Sequence, residues 1–173
     1  ILRTNIEMLR YYSKLDALVN AFEKNGGEEM MKKADAVKSW GPGYFKNYER
    51  KIDEETFAAL LQMYYNDVDK EYIFKGLESL APNSDQYTGN VKALFDASYL
   101  NSEEKLNELL IKKPEDMANS IKSDPAYIFY KEMIDQYNEK VAPKVTLYEG
   151  LVTSGMEKYM AAQMEVFKDR KFY

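Results

Sequence analysis

Histidine and cysteine are both absent from this sequence of 173 residues. Without an imidazole the chain holds no Ser-His-Asp triad, no histidine base and no histidine-containing zinc or di-iron site. Without a thiol it has no thiolate nucleophile and no disulfide, and the lack of cysteine is compatible with either a reducing or an oxidising compartment. No apolar run approaches the eighteen or so residues that a membrane span needs, and no segment alternates polar and apolar residues as a strand would. A basic stripe is missing too. The net charge is -5 and the pI about 5.0, which argues against a nucleic-acid partner. Catalysis by this chain on its own is therefore not expected, and neither a cofactor nor a metal is.

What is present is helical patterning. Hydrophobic residues make up 45% of the chain, charged residues 31%, and the mean hydropathy is -0.58. That balance suits one water-facing globular domain, residues 1–173, with a real core. The spacing of Ile6, Leu9, Tyr12, Leu15, Leu18 and Phe22 predicts a helix over 1–24, ended by Asn25-Gly26-Gly27. Glu28-Glu29 open a short helix to about Lys38, and Trp40-Gly41-Pro42-Gly43-Tyr44-Phe45 reads as a loop because it contains three breakers. Asp53 is expected to cap a helix over 54–66, with Phe57, Leu60, Leu61 and Tyr64 on one side. Further helices are expected over 70–80, stopped by Pro82, around Val91 to Tyr99, after Ser102, and after Pro114. Asn83-Ser84-Asp85 reads as a turn between two of them.

The longest pattern begins at Asp124-Pro125, a cap followed by proline at the first helical position. Tyr130, Ile134, Tyr137, Val141, Val145, Tyr148, Val152, Met156, Met160, Met164 and Phe167 follow at steps of three and four. Pro143 removes the N–H that would bond to the carbonyl of Glu139, so a kink or short break is expected between about Asn138 and Lys144. The half beyond it, Val145 to Phe167, is expected to be the central helix, packed against Phe57, Leu60, Leu61 and Tyr64. On that reading Val152 or Leu151 would cost about 1–4 kcal/mol to truncate. The fold class is all-α, an antiparallel multi-helix bundle with short connections.

No motif marks a site strongly. Asn66-Asp67-Val68-Asp69 resembles the start of a calcium loop but lacks its central glycine and distant glutamate, so a turn between helices is the better reading. Paired acids at 28–29, 54–55 and 103–104 sit in first helical turns, where they complement the helix dipole. Met156, Met160 and Met164 are expected in a core. Trp40, Tyr44 and Phe45 are the best candidates for a contact surface, because large rings beside glycines suit an interface.

Three stretches carry a resemblance: Phe57-Ala-Ala-Leu-Leu-Gln-Met-Tyr-Tyr-Asn-Asp-Val68, Ser123-Asp-Pro-Ala-Tyr127 and Lys168-Asp-Arg-Lys-Phe-Tyr173. Together with Phe45-Lys-Asn-Tyr48 and the helices around 99–110 and 148–164, they resemble the bacterial dipeptidyl peptidases 7 and 11, serine peptidase family 46. The resemblance implies a chymotrypsin-like double β-barrel that carries Ser, His and Asp, with a helical domain inserted into it and covering the cleft. This chain, which begins at Ile1 without an initiator Met or signal pattern, is similar to the C-terminal part of that insertion. An excised helical cap is thus expected, with none of the family's catalytic or substrate-binding residues on it. The resemblance also implies the β-barrel of the same parent chain as partner, peptide substrates, a homodimeric full-length enzyme, and a periplasmic or cell-surface location. No membrane or nucleic-acid partner is expected. The competing expectation is a free-standing all-α interaction or ligand-binding module, and the residues encoded on either side of 1–173 would separate the two.

Overall fold

The structure is a computed structural model, and it describes residues 2–80 and 87–167. Every regular element among these residues is helical, as the missing strand alternation requires. The chain divides into two compact units, residues 1–133 and 134–173. The expected stop at Pro82 and turn at 83–85 lie outside the described residues, as does the 168–173 motif.

In the first unit α1 (Leu2–Asn5) is followed at once by α2 (Glu7–Asn25), α3 (Gly27–Asn47) and α4 (Arg50–Asp67). Met8, Leu9, Tyr12, Leu15 and Leu18 bury the inner face of α2, which matches the expected spacing. Gly26 ends this helix at φ 83°, a left-handed value that side chains rarely adopt, and the chain doubles back so that α3 packs along α2. A 3-10 turn at Lys70–Tyr72, α5 (Lys75–Leu80), α6 (Tyr87–Ala97), a 3-10 turn at Tyr99–Asn101, α7 (Glu103–Leu110), α8 (Pro114–Ser123) and most of α9 (Pro125–Gln136), whose last three residues belong to the second unit, complete the order. The expected helix over 70–80 is therefore shorter, because Val68, Asp69 and Ile73 take extended backbone around the first turn. Ser102 and Pro114 start helices as expected, the Ser102 hydroxyl accepting from the Lys105 N–H at 3.3 Å.

The Trp40–Phe45 stretch is not a loop. Helix α3 runs through it to Asn47, with Pro42 inside. Proline usually excludes the α conformation at the preceding residue by clashing with its Cβ, and Gly41 has none. Gly41 is also buried, its missing Cβ position only 3.4 Å from Leu106 Cδ2 of α7. Tyr44 stacks on Tyr48 at 4.7 Å and lies 4.5 Å from Tyr11 of α2. Ring packing and the close helix–helix approach thus outweigh the local breakers.

The second unit holds a π-helical turn at Tyr137–Val141 and α10 (Ala142–Val166). The Ala142 N–H reaches the Tyr137 carbonyl, five residues back, so the ladder widens just before Pro143, inside the stretch where the missing N–H was expected to disturb it. The central-helix expectation fails. No residue of α10 is buried, Val152 is 65% exposed, and Leu151, Met156 and Met164 are exposed with it. Phe57 packs instead on Phe95 of α6 at 6.0 Å and edge-on against Phe129 of α9 at 5.3 Å. Val145, Tyr148, Val152 and Met156 do recur at helical spacing, but Leu147 and Leu151 lie off that stripe, and spacing cannot say which body of protein a helix meets.

These placements set opposite costs for truncation. Phe57→Ala should lose about 3–5 kcal/mol of stability in chemical denaturation. Val152→Ala in this chain should stay within about 0.5 kcal/mol of the parent.

Candidate functional site

Two buried carboxylates hold the first unit together, and both act on helix N-termini. Asp53 does not cap its own helix. It sits within α4, buried, and accepts from the backbone N–H groups of Glu7 at 2.8 Å and Met8 at 3.0 Å. It therefore satisfies the free donors at the start of α2, where Ile6 interrupts the helix and offers no side-chain cap. The Tyr48 hydroxyl donates to the same carboxylate at 3.2 Å. Burial pushes the Asp53 carboxyl above its ordinary value, against the opposing pull of the Met8 and Glu7 N–H groups.

Asp124 caps α9 as its Asp-Pro signature implied, accepting from Ala126 N–H at 2.9 Å. Its other oxygen receives the Tyr99 N–H at 2.8 Å and the Tyr12 hydroxyl at 2.7 Å. Tyr12 Oη lies 2.6 Å from Ser98 Oγ, which accepts from Leu100 N–H at 2.9 Å. With the Tyr12 proton committed to the carboxylate, Ser98 must donate to Tyr12. A serine, a tyrosine and an aspartate in one chain of hydrogen bonds resemble a catalytic relay. All three are buried, however, and their hydrogen bonds join α2, the turn at 99–101 and the start of α9.

The surface feature that includes the sequence candidates is a recess of about 660 Å³ between α2 and α3. Glu7, Arg10, Tyr11, Ser13 and Lys14 line one wall, and Ser39, Trp40, Gly43 and Tyr44 the other. Trp40 is 52% exposed, with the Lys14 ammonium 3.9 Å from its ring centre. Tyr44 lies half-buried in that second wall, burial pushing its pKa far up against the opposing pull of the Tyr48 hydroxyl. Tyr11, whose hydroxyl donates to the Val37 carbonyl at 3.4 Å, is pushed by burial to about 12. Phe45 packs edge-on against Tyr44 at 4.9 Å and does not line the recess. Of the residues singled out in the sequence Trp40 and Tyr44 line this recess, together with Arg10 and Lys14, which were not singled out. Their i,i+4 spacing on the rim of α2 was the available signal.

Asp67 and Asp69 fall where α4 ends, the Val68 N–H closing on the Tyr64 carbonyl at 3.1 Å. Among the described residues no three His, Cys, Asp or Glu side chains gather closely enough to hold a metal. No helix among them is long and apolar enough to cross a membrane.

Fold and site together define an all-helical segment with a mixed cationic and aromatic surface recess. The chain belongs to the Peptidase S46 family, whose model matches residues 1–173. It is 24% identical over 170 residues to a protein described as an Asp/Glu-specific dipeptidyl-peptidase from Flavobacterium psychrophilum, a match covering 98% of this chain. The chain spans only 23% of that relative's length. No solved structure matches.

Asp53→Ala should cost about 1–3 kcal/mol by stranding two N–H groups at the start of α2. Tyr48→Phe, which spares both of those bonds, should cost less in the same urea titration. A second expectation concerns acid. Lys92 and Arg50 hold exposed Asp96 at about 2, below its ordinary value. Its stabilising contribution is therefore full above about pH 4 and is lost as pH falls toward 2. Asp96→Asn should flatten the decline of melting temperature between pH 4 and pH 2.

Proposed function

We propose that this chain is the helical cover of an exported serine dipeptidyl peptidase and performs no hydrolysis by itself. Family membership and the likeness to an Asp/Glu-specific dipeptidyl-peptidase support the reaction class, release of dipeptides from peptide N-termini. The observation that carries the cover role is α10. Twenty-five residues long, it buries nothing within this chain, exposing Val145, Leu147, Tyr148, Leu151, Val152 and Met156 among others. Its charged residues are only Lys144, Glu149, Glu157, Lys158 and Glu165. A helix of that composition normally lies inside a larger body, and in this reading that body is the catalytic β-barrel of the same parent polypeptide. A rigid helical cover over the barrel's cleft would shut out folded chains and admit short peptides by their free amino ends. Export to the periplasm or cell surface and a dimeric parent enzyme belong to the same proposal.

The pure chain should release no product from a chromogenic dipeptidyl substrate, because it has no histidine or cysteine to activate a nucleophile. Turnover that persists after each serine is replaced in turn would overturn the reading. In the parent enzyme, Val152→Asp with Met156→Asp should lower the melting temperature, whereas this chain alone should melt as before with the same pair.

A further inference from the structure

We infer that the recess between α2 and α3 binds a peptide by a carboxylate, an inference that stands apart from the cover role of α10. Three features of the recess point to this ligand. The first is charge. Its lining carries two cations, Arg10 and Lys14, against one acid, Glu7, on a chain whose net charge is -5. Among the described residues no carboxylate forms an ion pair with either cation. Arg10 is exposed, and a guanidinium in that setting can grip a carboxylate through two parallel N–H bonds.

The second feature is the apolar plate beside those cations. The Lys14 ammonium 3.9 Å above Trp40 places a donor directly at the indole face, so a carboxylate and the apolar side chain next to it can be held at once. The third is a space kept open at a cost. Glycine weakens a helix interior, and both Gly41 and Gly43 lie inside α3. Gly41 has a packing reason, since its Cβ would approach Leu106. Gly43 has none: a Cβ there would meet nothing within 4 Å. Its missing side chain leaves the recess open beside Trp40 and Tyr44.

The volume of about 660 Å³ falls in the range of sites that hold ligands of several residues' bulk, and exceeds what a small acid would fill. The ligand is therefore the C-terminal end of a short apolar peptide. Its carboxylate lies between Arg10 and Lys14, its side chains against Trp40 and over Gly43, and Glu7 repels the carboxylate from the opposite end.

The single tryptophan of the sequence makes the test direct. Acetyl-Ala-Leu-Leu with a free carboxylate, titrated into the 173-residue chain, should change Trp40 fluorescence saturably, and its C-terminal amide should bind at least about tenfold more weakly. Arg10→Gln should abolish that preference for the acid. Gly43→Leu should block binding while leaving the melting temperature equal or higher, since leucine is the better helix former. Equal binding of acid and amide, no saturable change at all, or Gly43→Leu binding normally would overturn the proposal. So would sodium hexanoate binding as tightly as the tripeptide. None of these readouts involves hydrolysis, so failure here leaves the proposed cover role intact.

Discussion

The Tyr12 hydroxyl, set between Ser98 and Asp124, is the contact on which the first unit depends. The carboxylate can only accept, so the direction of every proton in that line follows. Leu100 N–H donates to Ser98, Ser98 to Tyr12, and Tyr12 to Asp124. The carboxylate meanwhile caps α9 and receives Tyr99 N–H. Three segments far apart in sequence are thereby fixed at one point, α2, the turn at 98–101 and the start of α9. Burial raises the Tyr12 pKa well above its ordinary value and keeps the phenol a donor. A partly satisfied network at this depth would be worse than an apolar core, and this one is closed.

Asp53 does for α2 what Asp124 does for α9, but from another helix. A local cap binds a helix start to its own chain, whereas a distant one binds it to the fold. The break at Ile6 between α1 and α2 is tolerated because α4 supplies the missing acceptor. Tyr48 joins the same carboxylate, and its ring stacks on Tyr44 in one wall of the recess. The recess thus rests on a wall fixed by buried hydrogen bonds, as a preorganised binding surface requires.

Chemistry and surface are divided in this chain in a way that fits its family. Among the described residues Ser98 is drawn into a buried chain of hydrogen bonds, closed off from solvent with Tyr12 and Asp124. The exposed assets are of another kind: an apolar helix in the second unit and a cation-rimmed aromatic recess in the first.

Composition and periodicity were enough to determine that the protein is helical, where α2, α7 and α8 begin or end, and that it carries neither histidine nor cysteine. Those properties depend on residue type and near neighbours: Gly26 can take a positive φ, Ser102 can cap, and absent imidazole cannot act. Tertiary structure alone decided the rest. The Gly-Pro-Gly stretch became helix because α2 and α7 approach it closely enough for Gly41 and Tyr44 to pack. Asp53 became a distant cap because α4 lies beside the start of α2. Val145 to Val166 formed a helix with no buried residue, because spacing specifies a helix and not what covers it. Arg10 and Lys14 face Trp40 across one recess only because Gly26 turns the chain back on itself, a proximity that no local pattern encodes.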